Sequence, residues 1–275
     1  MDFLECAVEI AHEAGSLLRY YFERVIPGKK QRFELKGDFD LVTEADRASE
    51  KLIVDRLKAH FPNHGIMAEE GGGHESASEY RWYVDPLDGT TNFAHGYPVY
   101  NVTLALEKAG ELIAGVIFDP NRGELFTCEK GGGAFLNGGR IHVSGAAKLD
   151  ECLFSTGFPS RRRHLDVNIH FYHQLAMATH GVRRGGAAAI DLAYVACGRL
   201  DGFWEFGLSP WDMAAGKLLV EEAGGICRDM KGGIHRLTSP HILVDNGLIH
   251  DEVAELFSEI FRGEYRLPMP VIQPS

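Results

Sequence analysis

No cysteine of this 275-residue chain stands in a Cys-x-x-Cys pair; Cys6, Cys128, Cys152, Cys197 and Cys227 are odd in number and widely scattered. That argues against a disulfide framework and against a zinc knuckle, and leaves small buried residues in a reducing compartment. No apolar run approaches the roughly 20 residues that span a bilayer. The opening MDFLECAVEIAHEAG lacks the basic residues of a secretory leader and carries Asp2, Glu5 and Glu9 instead, so a cytoplasmic protein with no membrane partner is expected. Basic charge is also scarce. Twenty-eight lysines and arginines against 39 acids leave a net charge of −11, the wrong sign for general nucleic-acid affinity. There is no internal repeat. What remains is 45% hydrophobic and 24% charged, an ordinary globular composition long enough for one large layered domain or two sharing an interface.

Phe3, Ala7, Ile10, Ala14, Leu17, Leu18, Tyr21 and Val25 recur at spacings of three and four, which predicts an amphipathic helix over 2–26 ended by Pro27-Gly28. Tyr20, Tyr21 and Phe22 fall on core or interface positions of that helix. A hairpin edge or loop leads to Thr43, a good N-cap for a helix over 44–60. Asp46 lies in its first turn, and Ala48, Leu52, Leu57 and Phe61 form its expected buried side. From 66 to 143 the pattern changes to short apolar runs between turns, an antiparallel meander with strands at Gly65–Met67, Arg81–Val84, Tyr100–Lys108, Glu111–Phe118, Gly123–Cys128 and Gly133–Leu136. The polar stretch Ser144–Glu151 divides the chain into a 1–145 half and a 146–265 half. In the second, strands near 152–156, 181–184, 201–206 and 241–244 alternate with helices near 164–179, 186–198, 209–224 and 250–261. The proline-rich end, 266–275, is expected to be disordered.

Three segments carry chemistry. Glu69-Glu70-Gly71 follows a short apolar run and alone means little. Trp82 to Phe93, WYVDPLDGTTNF, runs a strand into two aspartates separated by Pro86, then into a Gly-Thr-Thr turn that opens a short helix. An Asx turn needs one aspartate, not two. Amides at Gly89 and Thr90 would attract an anion, yet Asp85 and Asp88 would repel it unless a hard divalent cation sat between, and oxygen ligands favour magnesium over zinc. In the third segment Ser209 reads as an N-cap, Pro210 as the first helical residue and Asp212 as a first-turn acid. An Ala/Gly face there allows close backbone approach.

These segments together resemble the inositol monophosphatase family in order and spacing over about residues 5–262. The resemblance implies an α/β/α/β/α layered sugar-phosphatase fold, with an antiparallel sheet in the N-terminal half and a mixed α/β C-terminal half. It also implies a homodimer, use of Mg²⁺ and inhibition by lithium. Carried over by position, Glu69, Asp85 and the Leu87 carbonyl would hold one Mg²⁺, and Asp85, Asp88 and Asp212 a second. A third ion near Glu69 would hold the attacking water. Asp46 would hydrogen-bond Thr90, and that pair would orient and deprotonate the nucleophile. Amides of Gly89 and Thr90 would hold phosphate oxygens, Glu205 a sugar hydroxyl, and Gly186, Ala187 and Ala188 would lie against the polyol.

Water attack assisted by two metals requires no histidine or cysteine nucleophile, and no DxDxT phosphorylation sequence is present. Ala68 replaces a usual glycine, and Gly186-Ala187 lacks a usual hydroxyl; both bear on substrate identity. The expected substrate is a small phosphorylated polyol. Other monoesters remain open: histidinol phosphate, fructose 1,6-bisphosphate and adenosine 3′,5′-bisphosphate. So does a transcription-associated role, for which Arg161-Arg162-Arg163 is the visible basic run. His95 reads as a surface or structural histidine. Arg183 and Arg184 would order the cleft wall or an interface.

Overall fold

The computed structural model describes residues 2–25, 33–37, 40–158 and 166–268. The arginine triplet, His164 and residues 269–275 lie outside the described residues. Helix α1 (Phe3–Val25) turns Ala7, Ile10, Ala14 and Leu18 into the core, as their spacing predicts. Phe22 joins them, while Tyr20 stays half exposed beneath the Arg24 guanidinium. Strands β1 (Phe33–Gly37) and β2 (Asp40–Thr43) pair antiparallel and lead into α2 (Glu44–His60), capped by Thr43 as its sequence predicts.

The buried side of α2 differs from the sequence expectation. Ala45, Asp46, Ser49, Glu50, Ile53, Val54 and Leu57 face inward, while Ala48 and Leu52 are only partly covered. Hydrophobic periodicity misjudged this face because three of its inward positions are polar and serve the cleft described below.

Strands β3 (Gly65–Ala68), β4 (Tyr80–Asp88), β5 (Asn101–Lys108), β6 (Glu111–Asp119), β7 (Glu124–Glu129), β8 (Gly133–Leu136) and β9 (Gly139–Ile141) form one sheet in sequence order. All neighbours are antiparallel except β3 and β4. A five-residue helix, α3 (Thr90–Ala94), follows β4. After a 3-10 turn at Leu149–Glu151 come β10 (Leu153–Thr156), α4 (Asn168–Ala178), β11 (Gly181–Arg183), α5 (Ala188–Ala196), β12 (Gly202–Phe206), α6 (Pro210–Glu222), β13 (Ile226–Arg228), β14 (His241–Asp245) and α7 (His250–Phe261). The second sheet runs β11-β10-β12-β14-β13. The three-residue strands β9 and β13 escaped the sequence reading because each is too short to show a period.

Alternation along each strand separates three apolar layers. Trp82, Val84, Leu104 and Val116 face α1 and α2. Tyr83, Ala105, Ile117 and Phe126 turn the other way, onto α5 and α6, whose far side meets Phe203, Ile242 and Val244 of the second sheet. Phe154, Trp204 and Leu243 then pack on α4 and α7. The order is therefore helices, sheet, helices, sheet, helices, as expected. Small residues hold the middle layer tight: a Cβ on Gly115 would stand 3.1 Å from Ala215 Cα, and one on Gly216 would stand 2.6 Å from Leu192 Cβ. Arg266 and Leu267 are held to the body by Glu259 and Gln174. Among the described residues no helix is long and apolar enough to cross a membrane.

Candidate active site

A cleft of about 580 Å³ opens where β4 ends and where α3, α5 and α6 begin. Its construction starts with an irregularity in β4. In a regular strand Asp85 and Asp88, three residues apart, would point to opposite faces. Here Asp85 pairs with Thr103 and Asp88 with Asn101, so three steps on β4 match two on β5. The bulge takes in Pro86, which has no N–H to lose from the ladder, and it brings both aspartates to one side.

Each carboxylate is held by its own local structure. Asp88 accepts hydrogen bonds from Asn101 Nδ2 at 2.7 Å and from the Ala188 and Ala189 amides at 3.2 and 2.9 Å, at the positive end of α5. Asp85 accepts one from the Leu87 amide at 3.0 Å. Asp212 accepts one from the Ser209 amide at 2.6 Å, in the capping box of α6. Burial, reinforced for Asp85 by Glu69, Asp88 and Asp212, pushes both the Asp85 and Asp212 carboxyls well above the ordinary range. Asp88 is also raised by burial, against its donors. Beyond its burial, Asp212 is raised in turn by the charges of Asp88 and Glu69 beside it.

Glu69 lies at the rim, in the turn after β3. Glu50 on α2 shapes that turn by accepting from the Glu70 and Gly72 amides at 2.6 and 2.7 Å. Ala68 fits without disturbance, its methyl packed against the core under α1 and α2.

Asp46 does not line the cleft; it stands behind Thr90. Its Oδ1 accepts from Thr90 Oγ1 at 2.9 Å and its Oδ2 from the Thr43 amide at 2.8 Å. Burial raises it from 3.8 to about 6. The Thr90 hydroxyl also lies 3.1 Å from the Leu87 carbonyl, and its single proton can serve only one of these acceptors at a time. Gly89 turns the chain with φ 92°, and a Cβ there would stand 2.8 Å from the Val99 carbonyl, so only glycine fits.

Gly186, Ala187, Ala188 and Glu205 line the same cleft as Glu69, Asp85, Leu87, Asp88, Gly89, Thr90 and Asp212. His95 is exposed and outside it. Arg184 lines it; Arg183 does not. Three contributors escaped the sequence reading. Glu50 could have been found as an acid one helical turn beyond Asp46. Asn92 binds the two loops together, donating to the Val99 and Gly185 carbonyls at 2.8 and 2.9 Å, and nothing in its sequence position distinguishes it from a turn asparagine. Gly157 is needed because a Cβ there would come within 2.1 Å of a Glu205 carboxylate oxygen, a relation visible only in three dimensions.

The donor set at the acidic end of the cleft is all oxygen, with no histidine or cysteine, which suits a hard divalent cation. Among the described residues no three such side chains are already gathered into a closed metal-binding group. They are nevertheless close enough to raise one another's protonation, and a cation would relieve that repulsion.

A family model described as the inositol monophosphatase family matches residues 1–262. The chain is 47% identical over 249 residues to a protein named Nus factor SuhB from Pseudomonas aeruginosa, covering 88% of this chain and 91% of that protein. It is 45% identical to an inositol-1-monophosphatase from Mesorhizobium japonicum, covering 90% and 92%. The crystal structure of extragenic suppressor protein suhB from Bartonella henselae superposes with a TM-score of 0.88 at 41% identity, over 93% of this chain and 98% of that one.

Proposed function

The chain belongs to the inositol monophosphatase family, and from that premise we propose that it hydrolyses a small polyol phosphate monoester with Mg²⁺, myo-inositol monophosphate foremost. The observation that carries the reading is the convergence of acids from the turn after β3, from β4 and from α6 beside the Gly89-Thr90 turn, with the two β4 aspartates, Asp85 and Asp88, buried. Without a counter-ion such a cleft repels a phosphate.

Glu69, Asp85 and the Leu87 carbonyl would hold one cation, and Asp85, Asp88 and Asp212 a second, with a weaker third beside Glu69. When bound, the cations supply charge neutralisation, a more acidic water and stabilisation of the leaving oxygen. The protein's own part is orientation and proton movement. Gly89 and Thr90 amides donate to the phosphate oxygens. Thr90 Oγ1 accepts a proton from the attacking water as its own passes to Asp46 Oδ1, whose raised affinity for a proton suits a base near neutrality. Glu205, fixed on β12, accepts from a leaving-group hydroxyl. Residues 1–145 act as a subdomain that supplies most of the metal ligands, and residues 146–265 as a second that supplies Asp212 and the polyol wall. The functional unit is a cytoplasmic homodimer that lithium inhibits.

A phosphate-release screen across polyol and nucleotide monoesters, with Mg²⁺ or with EDTA, tests the reading. Turnover that survives EDTA removes it. A second reading, a transcription-associated role, is carried by the 47% identical relative named a Nus factor. Pull-down of the transcription machinery with the unaltered chain and with Asp88→Asn separates the two, since only that role tolerates loss of the metal centre.

A further inference from the structure

Among the acids that line the cleft, Asp191 belongs neither to the metal ligands nor to the phosphate cradle. It sits in the first turn of α5, where an exposed acid would already favour the helix dipole. Asp191 is instead only 5% exposed, and a buried carboxylate needs donors. The side-chain donor that faces it is the Ser155 hydroxyl, itself fully buried and without a partner at hydrogen-bond distance. Two glycines clear the space around Asp191 and its neighbour Glu205. A Cβ on Gly185 would lie 2.8 Å from Asp191 Oδ1, as one on Gly157 would overlap Glu205. The two carboxylates are close enough to repel each other. Arg184 is the single cationic side chain lining the cleft among the described residues, and it attracts both.

We infer that Asp191 is a specificity-determining residue, joining Glu205 as a pair of acceptors for the hydroxyls of an uncharged polyol leaving group and turning away substrates with a second phosphate. The inference rests on the phosphatase reading and narrows its substrate class. Carboxylates only accept hydrogen bonds, and polyol hydroxyls are the donors they lack. Burial and mutual repulsion already hold both carboxyls well above the ordinary range, with one arginine to offset them, so a second phosphate pressed against this wall adds to that repulsion. Removing one charge several ångströms from that phosphate, at the effective dielectric of a protein surface, changes its binding by roughly tenfold.

The test compares the full chain with its Asp191→Asn variant, both with Mg²⁺, measuring kcat and KM on inositol 1-phosphate, fructose 1,6-bisphosphate, histidinol phosphate and p-nitrophenyl phosphate. The expected result is that the ratio of kcat/KM for inositol phosphate over the bisphosphate falls about tenfold, mainly through KM. An unchanged ratio overturns the inference, as does a uniform loss on all four substrates. A native preference for the cationic histidinol phosphate also overturns it. Circular dichroism checks folding, and Asp191→Ser carries the same expectation should the asparagine variant fail to fold. If the unaltered chain turns over none of the four, the phosphatase reading itself falls. An unchanged ratio in two active proteins removes only the role of Asp191.

Discussion

Replacing Asp85 by asparagine should stabilise the metal-free protein while abolishing its activity. Asp46 sets the scale. With two hydrogen bonds from Thr43 and one from Thr90, it is still raised from 3.8 to about 6, which at about 1.4 kcal/mol per unit costs the ionised fold about 3 kcal/mol. Asp85 is 2% exposed, has one backbone donor, and faces Glu69, Asp88 and Asp212, so its cost is no smaller. Well below pH 4 the carboxyl is protonated whether the chain is folded or unfolded, and the penalty vanishes. As pH rises from there toward the raised folded value, the unfolded chain ionises first and stability falls. At pH 8 in EDTA, urea denaturation of Asp85→Asn should therefore give an unfolding free energy about 2 kcal/mol or more above that of the unaltered chain, after allowing for burial of the amide. Saturating Mg²⁺ should reverse the order, because the cation stabilises only the protein that still carries the charge. If Asp85→Asn is the less stable protein in EDTA at pH 8, the carboxylates are not in uncompensated repulsion and the electrostatic argument for a cation fails.

Asp212→Asn should lower kcat by about a thousandfold or more with a near-native circular dichroism spectrum, since its Ser209 contact survives in the amide. The kcat profile should fall on the acid side, through about pH 6 if Asp46 governs it, because a protonated Asp46 cannot receive the Thr90 proton; a flat profile from pH 5 to 8 would contradict that role. Gly157→Ala should raise KM for a polyol phosphate several-fold more than KM for p-nitrophenyl phosphate, because its methyl displaces Glu205. Glu50→Gln should weaken Mg²⁺ binding about tenfold in titration calorimetry, since one of its two acceptor oxygens becomes a donor facing a backbone amide.

Where periodicity or chain chemistry acts locally, the residues themselves disclosed the structure. Helix α1 follows its apolar spacing, and Thr43 and Ser209 cap the helices their side chains suit. The proline between Asp85 and Asp88 marked a distortion that proved to be the bulge uniting them. The buried face of α2 was misread because Asp46, Ser49 and Glu50 occupy positions that a pattern of apolar residues assigns to solvent. Ser49 donates to the Pro86 carbonyl at 2.8 Å, so even this small residue bears on the loop that carries Asp85 and Asp88. Glu50, Asn92 and Gly157 each act through a partner at least 20 positions away in the chain (Glu70, Gly185 and Glu205), and local spacing carries no trace of such distances.

Anomalous diffraction from crystals of the full chain grown with Mn²⁺ in place of Mg²⁺ tests the central claim most directly. Strong peaks among the carboxylates of Glu69, Asp85, Asp88 and Asp212 are predicted, and they should vanish from crystals of Asp85→Asn. A cleft without anomalous density under saturating Mn²⁺ would contradict the account.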